Sequence, residues 1–252
     1  MTTETPARET NVYGSEVSEV YDLVYKLRGK DYEQEAGEVV TLVRSRKPDA
    51  DSLQALDVAC GTGEHLRSLR GRFSHVEGLE LSDTMRAAAR AKLPGVAVHP
   101  GDIRDFDLGR TFDAVTSLYS TVGYMASTAE LDSAVASMAR HVSPGGVLVV
   151  EPWYFPERFT DGHVGSDLVR DGSRTVTRVA RSVRSGDVVR QEAHYIVADG
   201  DGIRHFEHVQ VFTLFTPEQY VAAFERAGCT AEYVQRDDIL AGRGLFVGVR
   251  SR

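Results

Sequence analysis

The chain has 252 residues, 42% apolar, 26% charged and 8% aromatic, a globular balance that excludes fibrous and disordered classes. Its 37 acidic residues outnumber 29 basic ones, for a net charge of −8, so no nucleic-acid partner is expected and an anionic substrate would need a local basic patch. Cys60 and Cys229 lack any paired spacing, the N-terminus lacks a signal or transit pattern, and no apolar run could span a bilayer; the expectation is a soluble, cytoplasmic chain without a disulfide framework or a membrane partner.

Residues 1–10 read as a loose tail. Val17, Val20, Tyr21 and Val24 recur at helical spacing within 12–30, and Ala36, Val39, Val40 and Val43 do so within 32–46. After a break at 47–52, strands are expected at 53–59, 76–81, 96–99, 112–118 and 146–151, alternating with helices at 64–70, 82–92 and 129–141. Such alternation predicts an α/β fold with a Rossmann-like parallel sheet covered on both faces. Beyond Pro152 the period changes to two. Runs at 175–184, 188–199 and 203–214, separated by Ser185-Gly186-Asp187 and Asp199-Gly200-Asp201-Gly202, predict an antiparallel β insertion. Pro217 opens a helix that ends at Gly228, and strands at 230–235 and 244–250 close the chain. The implied division is an N-terminal helical lid (1–52), an α/β core (53–152 and 215–252) and an insertion (153–214).

Asp57-Val58-Ala59-Cys60-Gly61-Thr62-Gly63 ends the first core strand, where glycines permit a tight turn and close approach of a ligand. Glu80 ends the second strand, nineteen residues after Gly61, at a distance suited to ribose hydroxyls; Gly101-Asp102-Ile103 follows the third and could read an adenine edge. Leu66 stands where a dinucleotide fingerprint would place its third glycine, which argues against a nicotinamide-dependent oxidoreductase.

These three strand ends resemble the S-adenosylmethionine-binding signature of class I methyltransferases. VYDLVY (20–25), RGKDY (28–32), LDVACGTG (56–63), GLELS (78–82), GDIRDF (101–106), EPWYFPERF (151–159) and GRGLFVG (242–248) further resemble the nucleotide-sugar N-methyltransferases, which make dimethylamino sugars of antibiotics on a TDP-linked precursor. The resemblance implies S-adenosylmethionine as cofactor, a TDP-linked aminosugar substrate methylated twice, and a homodimer. It also implies that Tyr21, Ala59, Gly61, Glu80, Met85, Asp102, Ile103 and Leu118 line the cofactor and that Tyr13 lies near the amine. Gly63 belongs to the same turn. Asp57 either braces that turn or reaches the cofactor's amino group through water.

The loop Tyr119–Met125 should sit over the reacting methyl group. Relatives often carry histidine where this chain has Tyr124; a phenol with an ordinary pKa near ~10 is a poor base but can accept an N–H and orient the amine, so positioning is expected, with plain packing as the other reading. Six arginines, Arg170, Arg174, Arg178, Arg181, Arg184 and Arg190, fall within twenty-one residues of the insertion. Period-two geometry sends Arg178 and Arg181 to opposite faces, so one ligand cannot meet all of them. The resemblance points to Arg178, Arg181 and Arg243 for the diphosphate, with Trp153 or Phe155 against sugar or base; a solvated strand face is the competing reading. His205 and His208 also fall on opposite faces, and no metal is expected. Lys30 and Arg28 could close the lid or remain surface charges. An O-methyltransferase, a small-amine N-methyltransferase and a cofactor-binding sensor without turnover remain as alternative functions.

Overall fold

The computed structural model describes residues 13–48, 52–236 and 243–251. The expected tail over 1–10 and the middle of the break at 47–52 lie outside the described residues.

Helix α1 (Ser15–Leu27) is followed by α2 (Tyr32–Arg46), whose N-terminus is capped by the Asp31 carboxylate accepting from the Gln34 N–H. The core then alternates: β1 (Gln54–Val58), α3 (Glu64–Arg70), β2 (His75–Glu80), α4 (Asp83–Lys92), β3 (Ala97–Pro100), β4 (Phe112–Ser117), a 3₁₀ turn (Thr121–Tyr124), α5 (Thr128–Arg140) and β5 (Val142–Val150). Ser82 and Ser127 cap α4 and α5 by accepting backbone N–H groups. The insertion comprises β6 (Val164–Asp171), β7 (Arg174–Ser185), β8 (Val188–Asp199) and β9 (Gly202–Thr213), after which α6 (Pro217–Arg226), β10 (Glu232–Val234) and β11 (Leu245–Val249) complete the core. Thr216 and Gln219 form a reciprocal capping box at α6, with Pro217 in its first turn.

The seven-stranded sheet runs β10-β11-β5-β4-β1-β2-β3, parallel from β5 to β3, with β11 antiparallel to both its neighbours. Strand order therefore reverses between β1 and β4, and the crevice beyond their carboxyl ends is where an open α/β sheet accepts ligands. Alternate residues feed two cores. Leu56, Val115, Leu148 and Phe246 face α5 and α6, whereas Ala55, Ala114, Val147 and Val247 face α2, α3 and α4.

The second sheet runs β6-β7-β8-β9, antiparallel throughout. Its inner face packs Val176, Ala180, Ala193 and Val197 on Val17, Val20 and Val24 of α1. The sequence reading lacks β6. Only Val169 of that edge strand is buried, so its apolar signal is one-sided and short. β5 begins earlier than expected, because its first residues pair across a register shift before the apolar run.

Candidate active site

Three non-glycine residues adopt left-handed backbone, Ala59 (φ 58°), Tyr119 (φ 61°) and Ser120 (φ 67°). All lie just past the carboxyl ends of β1 and β4. Strain of this kind costs about 1–3 kcal/mol per residue and gathers where surrounding structure fixes a functional turn. The Tyr119 N–H donates to Glu151 Oε2 at 2.8 Å, and the Ser120 hydroxyl donates to the Pro152 carbonyl at 2.9 Å, which holds the second turn.

At the end of β1, the Gly61 N–H donates to Glu80 Oε2 (2.9 Å) and the Ser82 N–H to Glu80 Oε1 (2.8 Å). Each carboxylate oxygen keeps a further lone pair. Burial lifts the Glu80 carboxyl above its ordinary value, against those backbone donors. Asp57 Oδ1 accepts from Thr116 (2.7 Å), while its Oδ2 is buried without a hydrogen-bond partner. Burial raises its carboxyl too, opposed by His65 and Thr116. A Cβ added at Gly61 would meet nothing within 4 Å, so open room lies over the turn; one added at Gly63 would crowd Ala89 and Leu93. A turn with room above it, a carboxylate with spare lone pairs and an orphaned buried oxygen fit an adenosyl group carrying hydroxyls and an amine.

Around this turn, Met85, Ile103 and Leu118 are buried apolar side chains. Tyr21 stands edge-on to Tyr13, with ring centroids 5.5 Å apart. Asp102 Oδ1 accepts from Arg104 Nε and N–H at 2.9 Å, and that guanidinium holds the Asp102 carboxyl below its usual range. Leu66 is fully buried, and the close helix–strand approach that a third glycine would provide comes from Gly78 instead, whose missing Cβ would lie 2.8 Å from Leu66 and from Cys60 Sγ. Cys60 is a packing residue here, and burial pushes its thiol up.

Beyond β4, Tyr124 on the 3₁₀ turn meets Tyr13, with hydroxyl oxygens 2.7 Å apart. Gln210, on the inner face of β9, donates to both hydroxyls. Phe212 stacks on Tyr124 (4.7 Å) and on Trp153 (4.0 Å), giving an aromatic wall. Burial drives the ionisation of Tyr13 and Tyr124 well above the ordinary phenol value, so both are protonated at neutral pH. His208, one inner-face position before Gln210, lies 5.0 Å from the Tyr13 ring; burial and the Arg178 charge hold its pKa down to about 4.

A cavity of about 300 Å³ is lined by Trp153, Tyr154, Phe155, Arg158, Tyr233 and Arg243. Arg243 lies 3.4 Å from Glu151 and faces the Tyr154 ring at 5.5 Å. Arg178 is not part of this lining. It is buried on the inner sheet face, donating to Tyr195 (3.1 Å) and Gln191 (3.2 Å), with Asp167 at 3.6 Å. Arg181 departs from the expected diphosphate cluster altogether, because strand alternation leaves it exposed on the outer face, away from the cavity.

Glu35, His65, Glu192, His194 and Glu207 are not singled out in the sequence, where Lys30 could close the lid or remain a surface charge. Lys30 donates to both oxygens of Glu35 (2.8 and 2.7 Å) and lies 4.1 Å from the Tyr119 ring centroid; Glu35 also meets His65 at 2.5 Å. Burial raises the Glu35 carboxyl, but His65 and Lys30 outweigh it and leave the pKa at about 2. Lys30 is thus buried rather than a surface charge. On the outer sheet face, Glu192, His194 and Glu207 bring ligand atoms within 4.8 Å of one another, a cross-strand grouping that spacing along one strand does not reveal.

A methyltransferase-domain family matches residues 55–146, the stretch that holds the turn, Glu80 and Asp102. The dTDP-3-amino-3,4,6-trideoxy-alpha-D-glucopyranose N,N-dimethyltransferase of Streptomyces venezuelae is 54% identical over 94% of this chain and 99% of its own length. The chain belongs to the TDP-aminosugar N,N-dimethyltransferases. S-adenosylmethionine is the methyl donor of this class I methyltransferase fold. A second N,N-dimethyltransferase, the dTDP-4-amino-2,3,4,6-tetradeoxy-D-glucose enzyme of Saccharopolyspora spinosa, is 47% identical over 98% of each chain. Among solved structures, DesVI of Streptomyces venezuelae superimposes with TM-score 0.89 at 52% identity, covering 95% of this chain and 100% of that one. SAM-bound CalS10, an amino pentose methyltransferase from Micromonospora echinaspora involved in calicheamicin biosynthesis, gives 0.83 at 51%, covering 97% and 100%. Among the described residues of this dimethyltransferase, no helix is long and apolar enough to cross a membrane.

Proposed function

We propose that this chain transfers methyl groups from S-adenosylmethionine to the amino group of a TDP-linked aminodeoxyhexose, twice in succession, in the making of an antibiotic sugar. The observation that supports the reading is the Tyr13–Tyr124–Gln210 cluster, tied to the Glu80 turn by the Ser82 hydroxyl donating to the Tyr13 carbonyl (2.8 Å) and to the Arg243 cavity by Phe212, which stacks on both Tyr124 and the cavity residue Trp153. The sulfonium supplies an already activated methyl group. The amine lone pair attacks the methyl carbon, the sulfur–carbon bond breaks with its pair going to sulfur, and the new ammonium releases its proton to solvent. The protein's share is alignment and exclusion of water.

In this reading Tyr21, Ala59, Gly61, Gly63, Met85, Ile103 and Leu118 shape the cofactor pocket, and Glu80 accepts ribose hydroxyls. Asp57 Oδ2 is free for the amino group, and Asp102 faces the adenine while braced by Arg104. Arg243 takes the diphosphate, with Trp153 and Phe155 against the sugar or base; Arg178 acts by holding the inner sheet face together. The first 52 residues form the lid, the 153–214 insertion supplies the substrate side, and the remainder is the cofactor core.

We also propose a cytoplasmic homodimer. The buried, unpaired thiols of Cys60 and Cys229 suit a reducing compartment. Val164, Leu168, Val179, Val183, Ile196 and Val211, all between 37% and 62% exposed, share the outer face of the insertion sheet with Arg181, Arg190, Glu192 and His194, a mixed surface whose apolar side chains a second copy would cover.

The test compares the TDP-linked 3-amino and 4-amino sugars with the same sugars lacking nucleotide, using mass spectrometry to count methyl groups. Methylation of a TDP-linked substrate, with loss of turnover on the free sugar, is expected. Equal turnover on the free sugar would overturn the nucleotide requirement.

A further inference from the structure

We propose that Gln210 is a positioning residue for methyl transfer: its carboxamide fixes the hydroxyl directions of Tyr13 and Tyr124, so that one phenolic oxygen keeps a lone pair for an N–H of the substrate amine. The inference rests on the N-methyltransferase reading above and assigns a role to a side chain in the insertion.

A phenol hydroxyl rotates about its C–O bond and can donate or accept, so two adjacent phenols do not by themselves present a defined face to a ligand. Gln210 is 5% exposed, and its Nε2 donates to the Tyr13 hydroxyl at 3.0 Å and also to that of Tyr124. Both amide protons are thereby spent, one on each phenol. The phenols share a third hydrogen bond at 2.7 Å, in which one donates to the other. The donor phenol has then used its proton and one lone pair and retains one lone pair. The receiving phenol has filled both lone pairs and retains its proton.

The cluster therefore offers one acceptor and one donor. An acceptor is what an amine N–H requires. A donor aimed at the nitrogen would occupy the very lone pair that must attack the methyl group, so the direction of these hydroxyls decides between a productive and a blocked amine. Neither phenol ionises near neutral pH, because burial opposes it, so the cluster orients the amine rather than removing its proton. Three separate parts of the chain meet here: the segment preceding α1, the turn after β4, and β9. Stacking of Phe212 on Tyr124, two residues along β9, fixes the register of that meeting.

The test uses Gln210→Leu, Gln210→Glu, Tyr124→Phe and the double variant Gln210→Leu/Tyr124→Phe, with steady-state methylation of a TDP-linked aminosugar as readout and cofactor affinity by calorimetry as the folding control. Gln210→Leu is expected to lower kcat by ~10–100-fold, with KM for the TDP-sugar within ~3-fold and cofactor affinity unchanged. In the Tyr124→Phe background the same change should cost less than ~3-fold more, because the two residues act through one contact. Gln210→Glu, which keeps the shape, should move the acid limb of the pH profile upward, since a carboxylate beside the amine favours its protonated, unreactive form.

A Gln210→Leu enzyme within ~2-fold of the wild-type kcat, or single effects that multiply independently in the double variant, would overturn the proposal. Should Gln210→Leu lose cofactor binding, Gln210→Glu decides alone, and an unmoved acid limb overturns it. A wild type that binds cofactor yet methylates no TDP-aminosugar overturns the substrate reading and this proposal with it, whereas an active wild type with unaffected Gln210 variants overturns this proposal only.

Discussion

Glu80 is the side chain on which cofactor affinity should depend most, because its carboxylate is fixed by the Gly61 and Ser82 N–H groups with further lone pairs to spare. Glu80→Gln keeps the shape and removes the charge; calorimetry should show a Kd for S-adenosylmethionine raised by ~10–100-fold, as expected for a charge-assisted hydrogen bond of about 1.5–3 kcal/mol. Tyr124→Phe removes one hydroxyl and keeps the stack on Phe212. Its kcat should fall by roughly tenfold with an unchanged pH profile; loss of nearly all turnover at every pH would contradict a positioning role. Buried Glu35 and half-buried His208 fix the acid side of stability. Glu35 has its pKa depressed from 4.5 to about 2, so its contribution is present above about 4.5 and is lost as pH falls toward 2. His208 is held neutral, with its pKa lowered from 6.5 to about 4, so the unfolded state binds the extra proton first and stability is lost as pH falls from 6.5 to 4. Denaturant titrations across pH should therefore show a decline on the acid side, and His208→Gln should flatten its upper part. Glu80 is legible in the sequence because it ends a strand, and Tyr124 because its loop after β4 resembles that of the family. Gln210 and the Glu35–His65 pair that decides between the two readings of Lys30 are not, since their meaning lies in partners brought together only by the fold.

Helix α1 joins two parts of the molecule by different physics. Toward the insertion it presents Val17, Val20 and Val24 to an apolar sheet face, with Glu19 held by Arg174 and Arg204. Toward the cofactor core, besides the edge contact of Tyr25 on Tyr119 (4.9 Å), its contacts are polar: Asp22 accepts from Thr62 in the glycine turn and from Lys92, and Ser18 meets Thr84 at 3.0 Å. Apolar burial is the stronger bond, so α1 should stay with the insertion sheet when the cofactor cleft opens. Asp22→Ala should then speed cofactor dissociation by ~10-fold in stopped-flow measurements while leaving Tm nearly unchanged; a large fall in Tm without faster release would contradict this division. The helices and central strands were readable because their apolar periods are long. β6 was not, because an edge strand with a single buried side chain carries almost no pattern.

For the molecule as a whole, the proposed function divides the labour between two sheets, one shaping the cofactor crevice and the other supplying the substrate side, with exposed apolar side chains set among charged ones on its outer face. A second copy on that face would bury it, so Val179→Glu with Ile196→Lys should give a monomer by light scattering, while a wild type that is monomeric at micromolar concentration would contradict the proposed dimer. The alternation of strands and helices announced the core, and the period-two runs announced the insertion. What the sequence could not convey is which insertion face meets α1, a matter settled by packing across elements far apart in the chain. The most direct test of the account is high-resolution mass spectrometry of a TDP-linked aminosugar incubated with the protein and S-adenosylmethionine deuterated on its methyl group. The account predicts two labelled methyl groups on the amine nitrogen; cofactor binding without label in the sugar, or label on a hydroxyl oxygen, would contradict it.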